Sequence, residues 1–173
     1  MTRKKYLDFE VDKLTKSIEN AVTGDSFQTE ITNLTNTDVK QAQRKKGWLF
    51  DWKKELKDNS KEVYKLTIQN NTGVLQGLIS LKIEANYVYI SLIESAPFNR
   101  GRNKMYLGVS GNLVAHACRL SFQKGFKGFV SFHSKTKLIG HYEKSLGAYH
   151  FGGHLMILED KASQQLVDKY FKN

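Results

Sequence analysis

Apolar and polar positions change period several times along this chain. Leu7, Val11, Leu14 and Ile18 recur at helical spacing, so residues 6–21 are predicted to form a helix with Asp8 as a candidate cap. Gly24-Asp25 breaks it. Phe27, Thr29 and Ile31 then fall on one side of a strand over 27–34. Asp38 is a candidate N-cap for the next helix, which bends at Gly47 and resumes through Trp48–Trp52. Trp48, Trp52 and Leu56, at i, i+4 and i+8, share a face. That face packs on the core, walls a substrate cleft or, beside Arg44-Lys45-Lys46, stacks the bases of single-stranded nucleic acid.

Three alternating strands follow. Tyr64, Leu66 and Ile68 line one face of the first, Ile79, Leu81 and Ile83 of the second, and Val88, Ile90, Leu92 and Glu94 of the third. Turns at Asn70–Gly73 and Asn86 join them as an antiparallel meander. Pro97 stops the third strand, and a basic turn, Asn99–Lys104, follows. The glycine turn Gly108–Leu113 enters an amphipathic helix ending at Gly125. Leu113, Ala117 and Leu120 form its apolar stripe, with Val114 and Cys118 beside it, so Cys118 reads as a small core residue. Asn112, His116, Arg119 and Gln123 form the opposite, polar face, on which His116 is expected in solvent. A strand over Phe129–Phe132, a helix over Thr136–Leu146 closed by Gly147, a strand over Tyr149–Leu158 loosened by Gly152-Gly153, and a helix over Lys161–Phe171 complete the chain.

Composition narrows the class. At 173 residues with 40% hydrophobic and 25% charged residues, one globular domain is expected. No apolar run reaches the ~20 residues that cross a bilayer, and no apolar segment follows the basic opening residues as in a secretory leader. A single cysteine cannot form an intrachain disulfide, and together these features point to the cytoplasm. The net charge of +10 favours nucleotide phosphates, nucleic acid or acidic proteins as partners, against the plainer reading of a lysine-rich solvated surface. None of the five histidines pairs with Cys118 at a metal-ligand spacing, so no metal is expected.

Two features carry candidate chemistry. Consecutive N–H groups at a glycine-rich helix start form an anion nest, and Gly108-Val109-Ser110-Gly111-Asn112 has that form. It is neither a Walker loop, since no Lys-Ser/Thr follows, nor a dinucleotide fingerprint, since a meander precedes it. Glu94, in line with three apolar side chains, is a half-buried general-base candidate, or else it lies past the sheet edge in water.

The order of strand Tyr87–Glu94, turn Gly108–Leu113, helix, strand Phe129–Phe132 and His141-Tyr142-Glu143-Lys144-Ser145-Leu146-Gly147-Ala148 resembles the GNAT superfamily of acetyl-CoA-dependent N-acetyltransferases. The last run is similar to the family's Y-E-K-x-G-F ending, with one residue more before the glycine and alanine for phenylalanine. Met105 replaces the Gln/Arg of the family turn, Ser110 its second small residue, and Lys135 a common asparagine. The resemblance implies an α+β fold: a central, mostly antiparallel twisted sheet flanked by helices, with a splayed strand pair holding the cofactor. It covers about Phe27–Leu158 of a single 1–173 domain, leaving 1–25 as an N-terminal helical extension. It implies acetyl transfer from acetyl-CoA to a primary amine. Pantetheine would lie along Leu92 and Ile93 and pyrophosphate on Gly108, Val109, Ser110, Gly111 and Asn112, with Arg100, Arg102 and Lys104 adding charge. Glu94 would take the amine's proton, a main-chain N–H near Ile93 would stabilise the oxyanion, and Tyr142 would protonate the thiolate. The acceptor is not readable; an amine on RNA, such as a charged tRNA, would suit the basic surface. The competing readings are an acyl-CoA-binding module without transfer and a nucleic-acid-binding protein. The C-terminal strand and helix offer a surface for a homodimer.

Overall fold

Alternation of inward apolar and outward polar side chains drives the chain into strands from Lys61 to Ser95, and every other element is placed by what it lays on that sheet. The computed structural model describes residues 5–172; the basic opening residues 1–4 lie outside the described residues. In chain order come β1 (Ile18–Asn20), β2 (Ser26–Phe27), β3 (Thr29–Asn33), α1 (Asn36–Val39), α2 (Trp52–Lys57), β4 (Lys61–Ile68), β5 (Gly77–Ile83) and β6 (Val88–Ser95). Then follow β7 (Tyr106–Leu107), α3 (Val109–Gln123), β8 (Val130–His133), α4 (Ile139–Leu146), β9 (Tyr149–Gly152), β10 (Leu155–Leu158) and α5 (Asp160–Phe171).

Seven strands form one sheet in the order β3-β4-β5-β6-β8-β10-β9, antiparallel except for the parallel pair β6–β8. A small second sheet, β2-β1-β7, ties the N-terminal region to the turn before α3. The parallel pair is joined only at Val88/Val130 and Tyr89/Ser131, after which the two strands part.

A bulge shapes β6. Ile90 opposes Leu81 and Leu92 opposes Ser80, so Ser91 is an extra residue without its own partner on β5. The insertion reverses side-chain parity. Val88 and Ile90 belong to the core under α3, as does Ile93, whereas Leu92 joins Trp48, Trp52, Leu78 and Ala96 on the opposite face. The single face predicted for Val88, Ile90, Leu92 and Glu94 is therefore corrected: the last two point away from the first two.

Other expectations are also corrected. Residues 5–17 form no helix; they run extended, with Leu7 and Val11 buried, Phe9 half-buried and Asp8 and Glu10 exposed. The period-two run Leu7-Asp8-Phe9-Glu10-Val11-Asp12 prevails over the helical spacing because the segment finds a cleft rather than a surface. The helical extension expected over 1–25 is thus absent from its described part. Asp38 is the third residue of α1, and Thr35 is the cap, in a reciprocal capping box with Asp38. The long tryptophan helix is a single turn at Arg44–Lys46, ended by Gly47 at φ 96°, followed by α2; Trp48 and Trp52 are nevertheless both buried. The final strand is a hairpin, β9–β10, turned at Gly152 and Gly153. His116 is buried, not solvated.

Candidate active site

The parting of β6 and β8 opens a cleft at their C-terminal ends, and residues of the chain's own N-terminal segment lie in it. Val88 N–H donates to Phe129 O (3.1 Å) and Leu7 N–H to His133 O (2.7 Å). Alternate carbonyls of a strand point the same way, so Leu7 lies on the β6-facing edge of β8, pairing in parallel with Ser134. Lys135 N–H returns a bond to Leu7 O (3.0 Å).

From there the segment crosses the cleft towards the start of α3. Phe9 packs at a tilt against Tyr142 and Phe132, with ring centroids 4.7 and 5.7 Å away. The Tyr142 hydroxyl donates to the Phe9 carbonyl at 2.7 Å. Val11 N–H donates to His141 Nε2 at 3.0 Å. Ser110 Oγ donates to Glu10 O at 2.6 Å, and Gly108 N–H to Asp12 Oδ1 at 3.1 Å. Lys104 reaches the other oxygen of Asp12 at 3.1 Å. Burial, and then the charge of Asp8, hold the Tyr142 hydroxyl protonated far above the ordinary tyrosine range.

The glycine turn serves this packing. Gly108 is the N-cap of α3 at φ 89°, and a Cβ there would lie 2.0 Å from Thr15 Oγ1. A Cβ on Gly111 would lie 2.2 Å from the Tyr170 hydroxyl of α5. That hydroxyl accepts from Thr15 N–H at 3.3 Å, so α5 pins the same segment. Asn112 N–H closes the first helical turn on Gly108 O, and its side-chain amide donates to Ser17 O and Thr29 Oγ1. Val109 is buried in the core.

Glu94 sits on the other wall. It is 3% exposed, and each of its oxygens accepts two bonds. Leu49 N–H (2.7 Å) and Arg100 Nη1 (3.2 Å) donate to Oε2; Trp52 Nε1 (2.8 Å) and Phe50 N–H (3.3 Å) donate to Oε1. The bulge at Ser91 turns Glu94 to the tryptophan layer, and the carboxylate holds the Leu49–Trp52 loop on the sheet. Arg100 also donates to Gly47 O at 2.6 Å, so it belongs to this wall. Leu92 and Ile93 are both buried, on opposite faces of β6. Between the two walls lies a cavity of about 250 Å³, lined by Phe9, Glu10, Asp12, Phe50, Ile93, Glu94 and Arg100 among others. A larger apolar hollow of about 490 Å³, lined by Tyr87, Tyr89 and Ile157, lies at the joined end of β6 and β8, away from these groups.

The structure thus brings Tyr142, Ser110 and Gly108 together on residues 9–12, of which Phe9, Glu10 and Asp12 share a cavity with Glu94 and Arg100. The sequence reading missed the extended segment between them, and the alternation from Leu7 to Asp12 was the available signal. Among the described residues no group of three His, Cys, Asp or Glu side chains is placed to hold a metal ion, and no helix is long and apolar enough to cross a membrane.

No family model and no curated protein matches the chain. Solved structures do. Mutant forms of the spermidine/spermine N-acetyltransferase SpeG from Vibrio cholerae align at 14% identity over 80% of this chain and 98% of that one, with a TM-score of 0.56. AtaTR bound with acetyl-CoA aligns at 16% identity over 80% and 97%, with a TM-score of 0.57. The Vibrio cholerae spermidine N-acetyltransferase in complex with CoA and spermine aligns at 16% identity over 79% and 98%, with a TM-score of 0.52. The fold of this chain is therefore the acetyltransferase fold of the GNAT type, a mostly antiparallel sheet flanked by helices and splayed at its one parallel strand pair.

Proposed function

We propose that the chain is an acetyl-CoA-dependent N-acetyltransferase acting on a primary amine. The observation that carries this reading is the Tyr142 hydroxyl: held protonated by burial, it is aimed into the splay of a fold whose neighbours were solved with CoA or acetyl-CoA. Acetyl-CoA supplies a thioester for acyl transfer. The residues that would hold it are the main chain of β6 around Leu92 and Ile93 and the α3 start from Gly108 to Asn112, with Lys104 joined to that start through Asp12. They fit the cofactor only when residues 7–15 are out of the cleft, because those residues now take the hydrogen bonds of Gly108, Ser110 and Tyr142.

Tyr142 is assigned the proton donated to the leaving thiolate. Glu94 is assigned the amine's proton from its place in the cavity wall. A substrate or water would first displace one of its four donors. The acceptor reaches the cleft through the cavity beside Phe50 and Arg100. The net charge of +10 favours an acceptor attached to an anionic carrier, of which an amine on tRNA is one form. A neighbour with a TM-score of 0.53 and 15% identity was solved as the KacTA–DNA complex. Homodimerisation and a cytoplasmic location remain parts of this reading.

The test is acetyl-CoA turnover against a panel of amines, followed as free thiol release. Tyr142→Phe should lower kcat by 10²-fold or more without weakening acetyl-CoA binding. Turnover by Tyr142→Phe equal to the wild type's would remove the proton-donor role.

A further inference from the structure

We propose that residues 7–15 are a built-in competitor for the cofactor cleft, so that acetyl-CoA binds only as this segment leaves. The inference rests on the transferase reading above. Its ground is the set of partners the segment takes, which belong to β8, α3, α4 and α5 and meet in one groove. Leu7 extends β8 on the edge left bare by the splay. Phe9 presents a carbonyl to Tyr142. Asp12 places a carboxylate on the N–H of the α3 cap while Lys104 neutralises its second oxygen. An anion resting on a helix-start N–H with a lysine beside it is what a phosphate would also seek there. Acetyl-CoA and the segment therefore demand the same donors, and the groove cannot satisfy both.

The segment is also built to leave. Two of its ion pairs lie at the surface: Asp8 meets Lys135 and Glu10 meets Lys104 through exposed carboxylates. Such pairs hold weakly in water. Only Leu7, Val11 and Thr15 are buried, and β1 and its small sheet begin three residues beyond Thr15, giving the release a fixed hinge point.

A reversible lock tests this in the full chain. Leu7→Cys with Ser134→Cys joins the two residues of the parallel bridge, and the same protein is then compared oxidised and reduced. Asp12→Ala loosens the segment instead. Each form is titrated with acetyl-CoA by calorimetry, and each is exposed to trypsin to follow cleavage after Lys13 and Lys16. The expected result is at least tenfold tighter acetyl-CoA binding by Asp12→Ala than by wild type. In wild type, acetyl-CoA should speed cleavage after Lys13 and Lys16. The oxidised lock should bind at least tenfold more weakly than its reduced form. Equal binding by the oxidised and reduced lock overturns the competition and leaves the transferase reading standing. If no form binds, although trypsin shows the segment released in Asp12→Ala, the transferase reading falls and takes the competition with it.

Discussion

Glu94 shows how much one side chain can organise. A carboxylate at 3% exposure is tolerable only when its charge is answered, and four donors from Leu49, Phe50, Trp52 and Arg100 answer it. Glu94→Gln would set an amide NH2 group against donors that now point at an oxygen. Its expected cost is about 2–4 kcal/mol, visible as a lower urea midpoint at unchanged slope. The sequence marked Glu94 as a carboxylate out of place among apolar neighbours but not which way it faced. The partners lie more than 40 positions away for all but Arg100, and the parity reversal at Ser91 comes from register with β5, which no single-strand pattern encodes. Cys118 needed no such knowledge. Its place in the stripe of α3 sufficed, and in the structure it is fully enclosed, with burial pushing its thiol up to about 12.

Among the elements, the meander β4–β5–β6 and the helix α3 were legible because their apolar residues repeat with one period in the sequence, and α4 because Gly147 closes it. The short pieces were not. Residues 7–12 satisfy two periods at once, and only the cleft decides between them. The glycine turn was legible as a place of close approach, but what approaches it was not: Thr15 at Gly108 and Tyr170 at Gly111, from the two far ends of the chain. The contact between the segment and α3 makes Gly108 the sharper probe. Gly108→Ala must adopt φ 89° and push into Thr15, for a combined cost of at least about 2 kcal/mol. Gly24→Ala has a comparable φ, 78°, with nothing within 4 Å of the added carbon, and should cost about 1 kcal/mol. Paired thermal melts check the difference, and equal losses would mean that Thr15 yields freely.

At the scale of the whole molecule, stability should depend on pH through His116. Its ring packs edge-on against Tyr64 of β4, 4.5 Å between centroids, and Arg119 donates to Nδ1. Burial, then the Arg119 charge, lower its pKa from 6.5 to about 3. The unfolded chain therefore binds the proton more readily than the folded one. This contribution is complete above pH 6.5 and is lost as pH falls from there towards 3, with a slope of at most about 1.4 kcal/mol per unit. His116→Gln should flatten that slope in urea titrations between pH 6.5 and 4.

The segment in the cleft has a consequence for how the molecule comes to exist. Phe9 meets Tyr142 across 133 positions, and Thr15 meets Tyr170 across 155. A chain synthesised in order makes the strap early and its buckle last, and closing so long a loop is slow. Until α4 and α5 are made, the segment lacks its Tyr142 and Tyr170 contacts, so its docking is completed only as the end of the chain folds.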